Sequence, residues 1–229
     1  FFPPAEQMSH HRITRGYGLL EGFLAQQRSR VANELIPVSL RAGRVLDIGC
    51  GAYPLFLTQT PFAQKFGLDK HVAPLAASLA RDGHSTVQLI RYDVEHGGRL
   101  PFFDDQFSIV TMLAVFEHIE ITRLVALLSE VRRVLKPEGR LILTTPTKTA
   151  HSLLRGMAKV YLVSSIEIAE HKTCLSLAEI LRVIEQAGFS SDHATHGYFE
   201  LYLNHWLSVA KSGACAVGTA TLHPIQPVP

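Results

Sequence analysis

A series of short apolar runs limits the folds that this chain can adopt. Each run is four to seven residues long and almost continuous, without strict alternation of apolar and polar residues. This pattern indicates strands that are buried on both faces, as in a parallel sheet covered by helices. We therefore predict strands at residues 44–48, 65–68, 87–90, 107–113 and 140–144.

Helical patterns alternate with these runs. Apolar residues recur at spacings of three and four between residues 122 and 135, and residues 72–81 carry a similar pattern. The sequence "KPEG" at residues 136–139 is expected to end the longer helix. A later helix is predicted to begin at Ser176, where "SLAE" can form a capping box, and to stop at Gly188. Together the patterns predict an α/β sandwich with right-handed crossovers.

The composition is that of a globular protein. The chain has 229 residues, of which 47% are hydrophobic and 18% are charged, enough for one domain with a substantial core. A net charge of +2 gives no argument for a nucleic-acid partner. Three scattered cysteines fit a reducing cytoplasm and have no metal-ligand spacing, so no metal is predicted. No apolar run approaches the roughly 20 residues that span a bilayer, and no signal peptide is predicted.

The loop after the first predicted strand contains two glycines, in "VLDIGCGAYPLFL" at residues 45–57. In an α/β sheet this loop leads to a helix amino terminus, whose free N–H groups favour an anion. Gly49 and Gly51 can let the backbone approach a ligand closely. Pro54 suits a first helical position, and it stands where a dinucleotide-binding turn would carry glycine. Alone, the loop is equally consistent with an ordinary strand–helix connection.

Acidic residues follow two further strands. Asp69 ends the second predicted strand, 22 residues after Asp47, where a carboxylate can hold both hydroxyls of a ribose. Asp93 follows the third strand and can accept from an exocyclic amine. Helix capping is the alternative for Asp69, and a solvated turn is the alternative for Asp93. The order in which these residues occur, and not any one of them, favours a ligand site at the strand ends.

Two later segments, "LPFFDDQFSIVTMLAVFEHI" and "EVRRVLKPEGRLILTTP", complete the series. From residue 44 to about residue 211 the chain resembles the class I S-adenosylmethionine-dependent methyltransferases. The resemblance implies a Rossmann-like three-layer α/β sandwich with a seven-stranded, mostly parallel sheet in the order 3-2-1-4-5-7-6, whose last strand is antiparallel. It also implies the cofactor S-adenosyl-L-methionine, with S-adenosyl-L-homocysteine as product. It does not specify the substrate.

The resemblance assigns roles to the strand ends. Asp47 would face the methionine amino group, Asp69 the ribose hydroxyls and Asp93 the adenine amine. Tyr53 departs from the family's usual third glycine, and Ser108 departs from a common aspartate. The remaining residues predicted to bind the cofactor are Gly49, Cys50, Gly51, Tyr53, Lys70, Val94, Leu113 and Ala114.

A base for methyl transfer is predicted only by position. His118, after Glu117, is the first candidate, and His171 near the end of a predicted cap is the second. For each histidine, a structural role in fixing a loop is the alternative. We interpret Glu117 as a loop anchor or substrate contact and Cys50 as a packing residue.

The predicted organisation has four segments. Residues 1–40 form an N-terminal helical segment over the site, residues 41–211 form the methyltransferase domain, residues 146–175 insert a cap, and residues 212–229 form a flexible tail. The favoured acceptor is a small molecule, such as a sugar or a lipid-linked metabolite, with peripheral lipid contact left open. The alternatives are an RNA or protein methyltransferase and a non-catalytic cofactor-binding module. A nicotinamide-dependent oxidoreductase is disfavoured by Pro54.

Overall fold

The structure, a computed structural model, describes residues 21–72, 86–148, 150 and 172–213. These residues form a seven-stranded sheet with helices packed on both faces. The strands are β1 (Arg44–Ile48), β2 (Gln64–Asp69), β3 (Thr86–Arg91), β4 (Phe107–Leu113), β5 (Leu135–Pro146), β6 (Ala194–Phe199) and β7 (Asn204–Ala210). The described helices are α1 (Glu21–Leu35), α2 (Leu55–Gln59), α3 (Ile121–Val134) and α4 (Leu177–Gln186).

The strand order is β3-β2-β1-β4-β5-β7-β6. Strand β1 pairs in parallel with β2 and β4, and β3 and β5 extend the parallel part on either side. Strand β7 lies antiparallel between β5 and β6. The predicted Rossmann-like fold is therefore confirmed, including the strand order and the antiparallel last strand.

The two faces of the sheet bury separate cores. Because successive side chains of a strand point to opposite faces, Leu46 and Ile48 of β1 join the core that contains residues of α3 and α4. Val45 joins the other core, with residues of α1 and α2. Asp47 alternates with Leu46 and Ile48, so its side chain lies on the α1–α2 face.

The predicted end of α3 needs correction. Residues 136–139 were expected to follow the helix as a stop, with a strand beginning at residue 140. Instead α3 ends at Val134, and Leu135 already pairs with Phe107 of β4. The pairing shifts register before Ile109, so residues 136–139 form an irregularity inside β5. Backbone hydrogen bonds between this irregularity and Lys211 hold it, which sequence pattern alone does not reveal.

Two helix starts were predicted from capping residues. The capping box of α4 is confirmed, since Ser176 Oγ accepts from Glu179 N and Glu179 Oε2 accepts from Ser176 N at 2.7 Å. Pro54 is the residue before α2 and not its first helical residue, so that prediction is wrong by one position.

Several predictions concern residues outside the described ranges. They are the helix at residues 73–81, most of the cap, residues 1–20 of the N-terminal segment and the tail from residue 214. Among the helices that the structure describes, none has the length and apolar character needed to cross a membrane.

Packing between β2, β3 and the glycine loop leaves no room for a side chain at Gly67. A Cβ at this position would lie 2.6 Å from Leu89 Cδ2 and 2.7 Å from Cys50 Sγ. We expect Gly67→Ala to lower the free energy of unfolding by roughly 1–3 kcal/mol, measured by urea denaturation. Gly98→Ala is the matched control, because a Cβ there meets nothing within 4 Å. Equal stability of the two variants would contradict this packing.

Candidate functional site

Asp47 lies near the carboxyl end of β1, in the middle of the sheet. It is flanked in register by Gly67 of β2 and Thr111 of β4. Thr111 Oγ1 donates a hydrogen bond to Asp47 Oδ1 at 2.6 Å, and Asp47 is 4% exposed. Burial raises the pKa of Asp47 to about 7, against the lowering effect of the Thr111 hydrogen bond and with a further rise from the charge of Asp69. A buried carboxylate without a cationic partner favours an incoming positive charge.

The glycine loop follows β1 and contains two residues in the left-handed region, Gly49 at φ 74° and Gly51 at φ 72°. A Cβ at Gly49 would lie 2.3 Å from Val115 Cγ2, so the Val115 side chain already fills the space beside this glycine. At Gly51 the nearest such contact is Tyr53 O at 4.0 Å. Gly51 is therefore the position in this loop that leaves open space beside the backbone.

Asp69 connects the glycine loop to the end of β2. Its Oδ2 accepts from Gly51 N at 3.0 Å, and its Oδ1 accepts from His71 N at 2.7 Å. Asp69 is buried, and each carboxylate oxygen has a second lone pair that these bonds do not use. The backbone thus fixes the orientation of a carboxylate that can accept two further hydrogen bonds. Lys70, next in the chain, is exposed.

Cys50 packs beneath this loop. It is buried, and its Sγ lies so close to Gly67 that a Cβ added there would be only 2.7 Å away. Burial raises the pKa of the Cys50 thiol, and the charges of Asp47 and Asp69 raise it further. The thiol therefore stays protonated and serves packing, not nucleophilic chemistry.

Asp93 follows β3 and organises its own turn. Its Oδ1 accepts from Glu95 N at 3.0 Å and His96 N at 3.3 Å, and its Oδ2 lies 3.1 Å from His96 Nδ1. Partial burial acts to raise the pKa of Asp93, but the hydrogen bonds from His96 and Glu95 outweigh it and lower the pKa. Val94 packs against the core on the α3–α4 side of the sheet. The solvated turn, which is the alternative to adenine binding for Asp93, is therefore present. The Asp93 side chain is 41% exposed.

The segment after β4 lies at the carboxyl edge of the sheet, next to the end of β5. Leu113 is partly buried, and Ala114 has φ 54° and donates from its N to Thr144 O at 3.0 Å. A short 3-10 turn, Phe116–His118, follows. His118 is partly buried there, and its backbone N donates to Val115 O.

Glu117 anchors this segment. It is 3% exposed, and its Oε2 accepts from Thr145 Oγ1 at 3.2 Å. Its backbone O accepts from Lys172 N at 2.8 Å and Thr173 N at 3.1 Å. The Lys172 side chain in turn forms an ion pair with Glu95, so the described end of the predicted cap joins the β3 turn to the β4 segment.

The structure places the predicted site residues at four neighbouring strand ends. A direct hydrogen bond links Gly51 to Asp69, whereas Asp93 bonds within its own turn. His171 lies outside the described residues, so its predicted role stays a prediction. Sequence reasoning missed Thr111 and Val115. A hydroxyl inside an otherwise apolar strand was the available signal for Thr111, and no local pattern identifies Val115.

A seven-stranded sheet in this order, with a glycine loop after β1 and an acidic residue ending β2, defines the class I methyltransferase fold. Residues 46–143 match the model of the family described as Methyltransferase domain. The chain is 37% identical over 103 residues to the Uncharacterized methyltransferase YcgJ of Bacillus subtilis, covering 44% of this chain and 39% of that protein. It is 30% identical over 164 residues to the Ubiquinone/menaquinone biosynthesis C-methyltransferase UbiE of Azotobacter vinelandii, covering 66% of this chain and 61% of that protein. The chain thus spans less than two thirds of the length of either relative.

Solved structures agree on the fold. An S-adenosylmethionine-dependent methyltransferase from Mesorhizobium loti superposes with a TM-score of 0.58 at 16% identity, covering 82% of this chain and 99% of that chain. Phosphoethanolamine N-methyltransferase 2 of Haemonchus contortus, in complex with phosphomonomethylethanolamine and S-adenosylhomocysteine, gives a TM-score of 0.56 at 15% identity. That match covers 82% of this chain and 53% of that chain.

The raised pKa of Asp47 predicts a pH-dependent stability cost. Its carboxyl titrates near 3.8 when unfolded and at about 7 when folded, so the folded state binds the extra proton between these values. Stability from this group is then complete below pH 3.8 and is lost as the pH rises through 7. We expect Asp47→Asn to raise the free energy of unfolding by up to about 4 kcal/mol at pH 8 and by progressively less toward pH 4.

Urea denaturation across this pH range measures the effect. Asp192→Asn, at an exposed position in the loop before β6, is the control. A difference between Asp47→Asn and the unchanged protein that does not vary with pH would show that Asp47 carries no such proton.

Proposed function

We propose that this chain is an S-adenosylmethionine-dependent methyltransferase that acts on a small-molecule acceptor. The observation that carries the proposal is the pair of carboxylates at the ends of β1 and β2. Asp47 is buried without a cationic partner among the described residues, and Asp69 is held by Gly51 N and His71 N. An ammonium group suits the first carboxylate, and a diol suits the second.

The described residues fit this cofactor. Asp47 would hold its amino group, Asp69 its ribose hydroxyls, and the open side of Gly51 its methionine portion. Asp93 and Val94 would contact the adenine, although the hydrogen bonds of Asp93 within its turn leave fewer lone pairs for the amine. S-adenosylmethionine supplies a methyl group on a positively charged sulfur and leaves as S-adenosylhomocysteine. The protein's task is to align the acceptor and to exclude water.

A small-molecule acceptor is supported by the relatives. The names of two of them refer to ubiquinone or menaquinone biosynthesis and to phosphoethanolamine, both small molecules. A sugar or a lipid-linked metabolite is the narrower proposal. An RNA or protein substrate lacks a comparable argument, because the net charge of the chain is only +2.

Cofactor binding can be tested directly at Asp69. We expect S-adenosylhomocysteine to bind the unchanged protein and Asp69→Ala to weaken binding by roughly 10- to 100-fold, because hydrogen bonds to a charged acceptor are lost. Isothermal titration calorimetry measures this, with Asp192→Asn as the exposed carboxylate control. No binding to the unchanged protein at millimolar ligand would refute the proposed function. Unaltered affinity of a folded Asp69→Ala would refute the ribose contact alone.

His118 is proposed as the group that receives a proton from the acceptor. Screening metabolite extracts with methyl-labelled S-adenosylmethionine would identify the acceptor through the label it gains. With that acceptor, we expect His118→Gln to lower kcat by about 100-fold or more while the affinity for S-adenosylhomocysteine stays within about twofold. Equal losses of turnover and cofactor affinity would instead assign His118 to fixing the loop.

A further inference from the structure

Four residues form a polar row on the α3–α4 face near the carboxyl edge of the sheet. In register, Tyr198 of β6 lies opposite His205 of β7, and His205 lies opposite Thr145 of β5. Directly opposed residues of antiparallel strands share one face. Thr145 continues the row to Glu117 through its hydrogen bond at 3.2 Å. We call Tyr198, His205, Thr145 and Glu117 the edge row.

His205 is the buried member of the edge row whose side chain has no hydrogen-bond partner among the described residues. It is 6% exposed, and the centroid of its ring lies 4.7 Å from that of the Tyr198 ring. Among the described residues, its side chain makes no hydrogen bond. Among the described side chains, the fully buried polar atoms without a hydrogen-bond partner are Arg132 Nε and Glu200 Oε1. The ring nitrogens of His205 are not among them, so they lie at the small part of the residue that solvent still reaches. Buried polar groups normally have a partner, which for His205 leaves water or a ligand.

The charges around His205 favour an uncharged partner. Burial lowers the pKa of His205, and the neighbouring His196 lowers it further, so the ring is neutral at neutral pH. A neutral imidazole offers one donor and one acceptor, which matches a hydroxyl group. Glu117 places a carboxylate at the other end of the row, which disfavours an anion there.

The β6–β7 turn adds an apolar surface at the same edge. Glu200, Leu201 and Tyr202 all have positive φ angles, 52°, 54° and 66°, a conformation that side chains make costly. The turn leaves Leu201 91% exposed and Tyr202 72% exposed. It lies at the carboxyl edge because Asn204, the first residue of β7, opposes Pro146, the last residue of β5. This strained turn therefore presents apolar groups beside the edge row.

We propose that the edge row binds the methyl acceptor, which presents an uncharged hydroxyl to His205 and an apolar body to Leu201 and Tyr202. This inference rests on the proposed function and narrows its substrate class. Strands β4 and β7 are two positions apart, about 10 Å at the usual strand spacing. His205 is then a specificity residue that holds the far part of the acceptor, while the reacting group lies nearer β4.

The test uses the full chain saturated with S-adenosylhomocysteine and carrying isotope-labelled histidine for NMR. The His205 ring signal is assigned by its absence in His205→Phe. Three probes share an aromatic body: p-methoxyphenol has the hydroxyl, p-dimethoxybenzene lacks it, and p-methoxybenzoate carries a negative charge. We expect p-methoxyphenol to shift the His205 signal and to bind at least about fivefold more tightly than either analogue, as one hydrogen bond implies. The exposed His196 should not respond.

Variants separate recognition from folding. His205→Phe should weaken p-methoxyphenol at least about fivefold while S-adenosylhomocysteine affinity stays within about twofold. His205→Leu serves if the Phe variant does not fold, and His196→Phe is the matched control on the same face. Equal affinity for p-dimethoxybenzene, or undiminished probe binding in a folded His205 variant, would overturn the inference. A protein that binds S-adenosylhomocysteine but none of the probes at millimolar concentration overturns it too, whereas failure to bind S-adenosylhomocysteine overturns the proposed function itself.

Discussion

The carboxylate of Asp69 holds the site together because it accepts from two backbone N–H groups that belong to different loops. Gly51 N comes from the loop after β1, and His71 N comes from the turn after β2. Parallel pairing of β1 and β2 brings these loops to one edge, but pairing alone does not set their spacing. With both oxygens engaged, the carboxylate fixes the loops relative to each other and keeps lone pairs for a ligand. Preorganisation of this kind lowers the entropy cost of binding.

Maintaining this edge costs stability in several places. Asp47 is buried, and within the described part of the chain the Thr111 hydroxyl alone offsets its desolvation. Ala114 and the residues of the β6–β7 turn adopt positive φ angles without being glycine. Four of the six described non-glycine residues with positive φ lie at this edge, whereas the two cores behind it are apolar. Such a distribution is expected of a ligand-binding edge, since a site that was fully satisfied by itself would gain little from a ligand.

Sequence reasoning succeeded where the signal is local or periodic. The bounds of β4 and the capping box of α4 follow from apolar continuity and from a four-residue pattern. It failed where a distant part of the chain decides. The irregularity in β5 depends on Lys211, and the packing role of Gly49 depends on Val115, which comes 66 residues later. His205 shows the same limit, because its sequence context indicates only a strand residue. That it is a buried polar group without a described partner becomes evident only once β5, β6 and β7 are assembled.

The carboxyl edge divides into two halves that use opposite faces of the sheet. Asp47 lies on the α1–α2 side, while His205 and Thr145 lie on the α3–α4 side, and β4 runs between them. Lys172 and Thr173 connect these halves, since they bond to the Glu117 backbone while Lys172 also pairs with Glu95 in the β3 turn. The end of the predicted cap is thereby tied to both the β3 turn and Glu117 of the edge row. Because the Lys172 ion pair and the backbone bonds of Lys172 and Thr173 reach two different strand ends, this short stretch fixes the β3 turn and the β4 segment relative to each other.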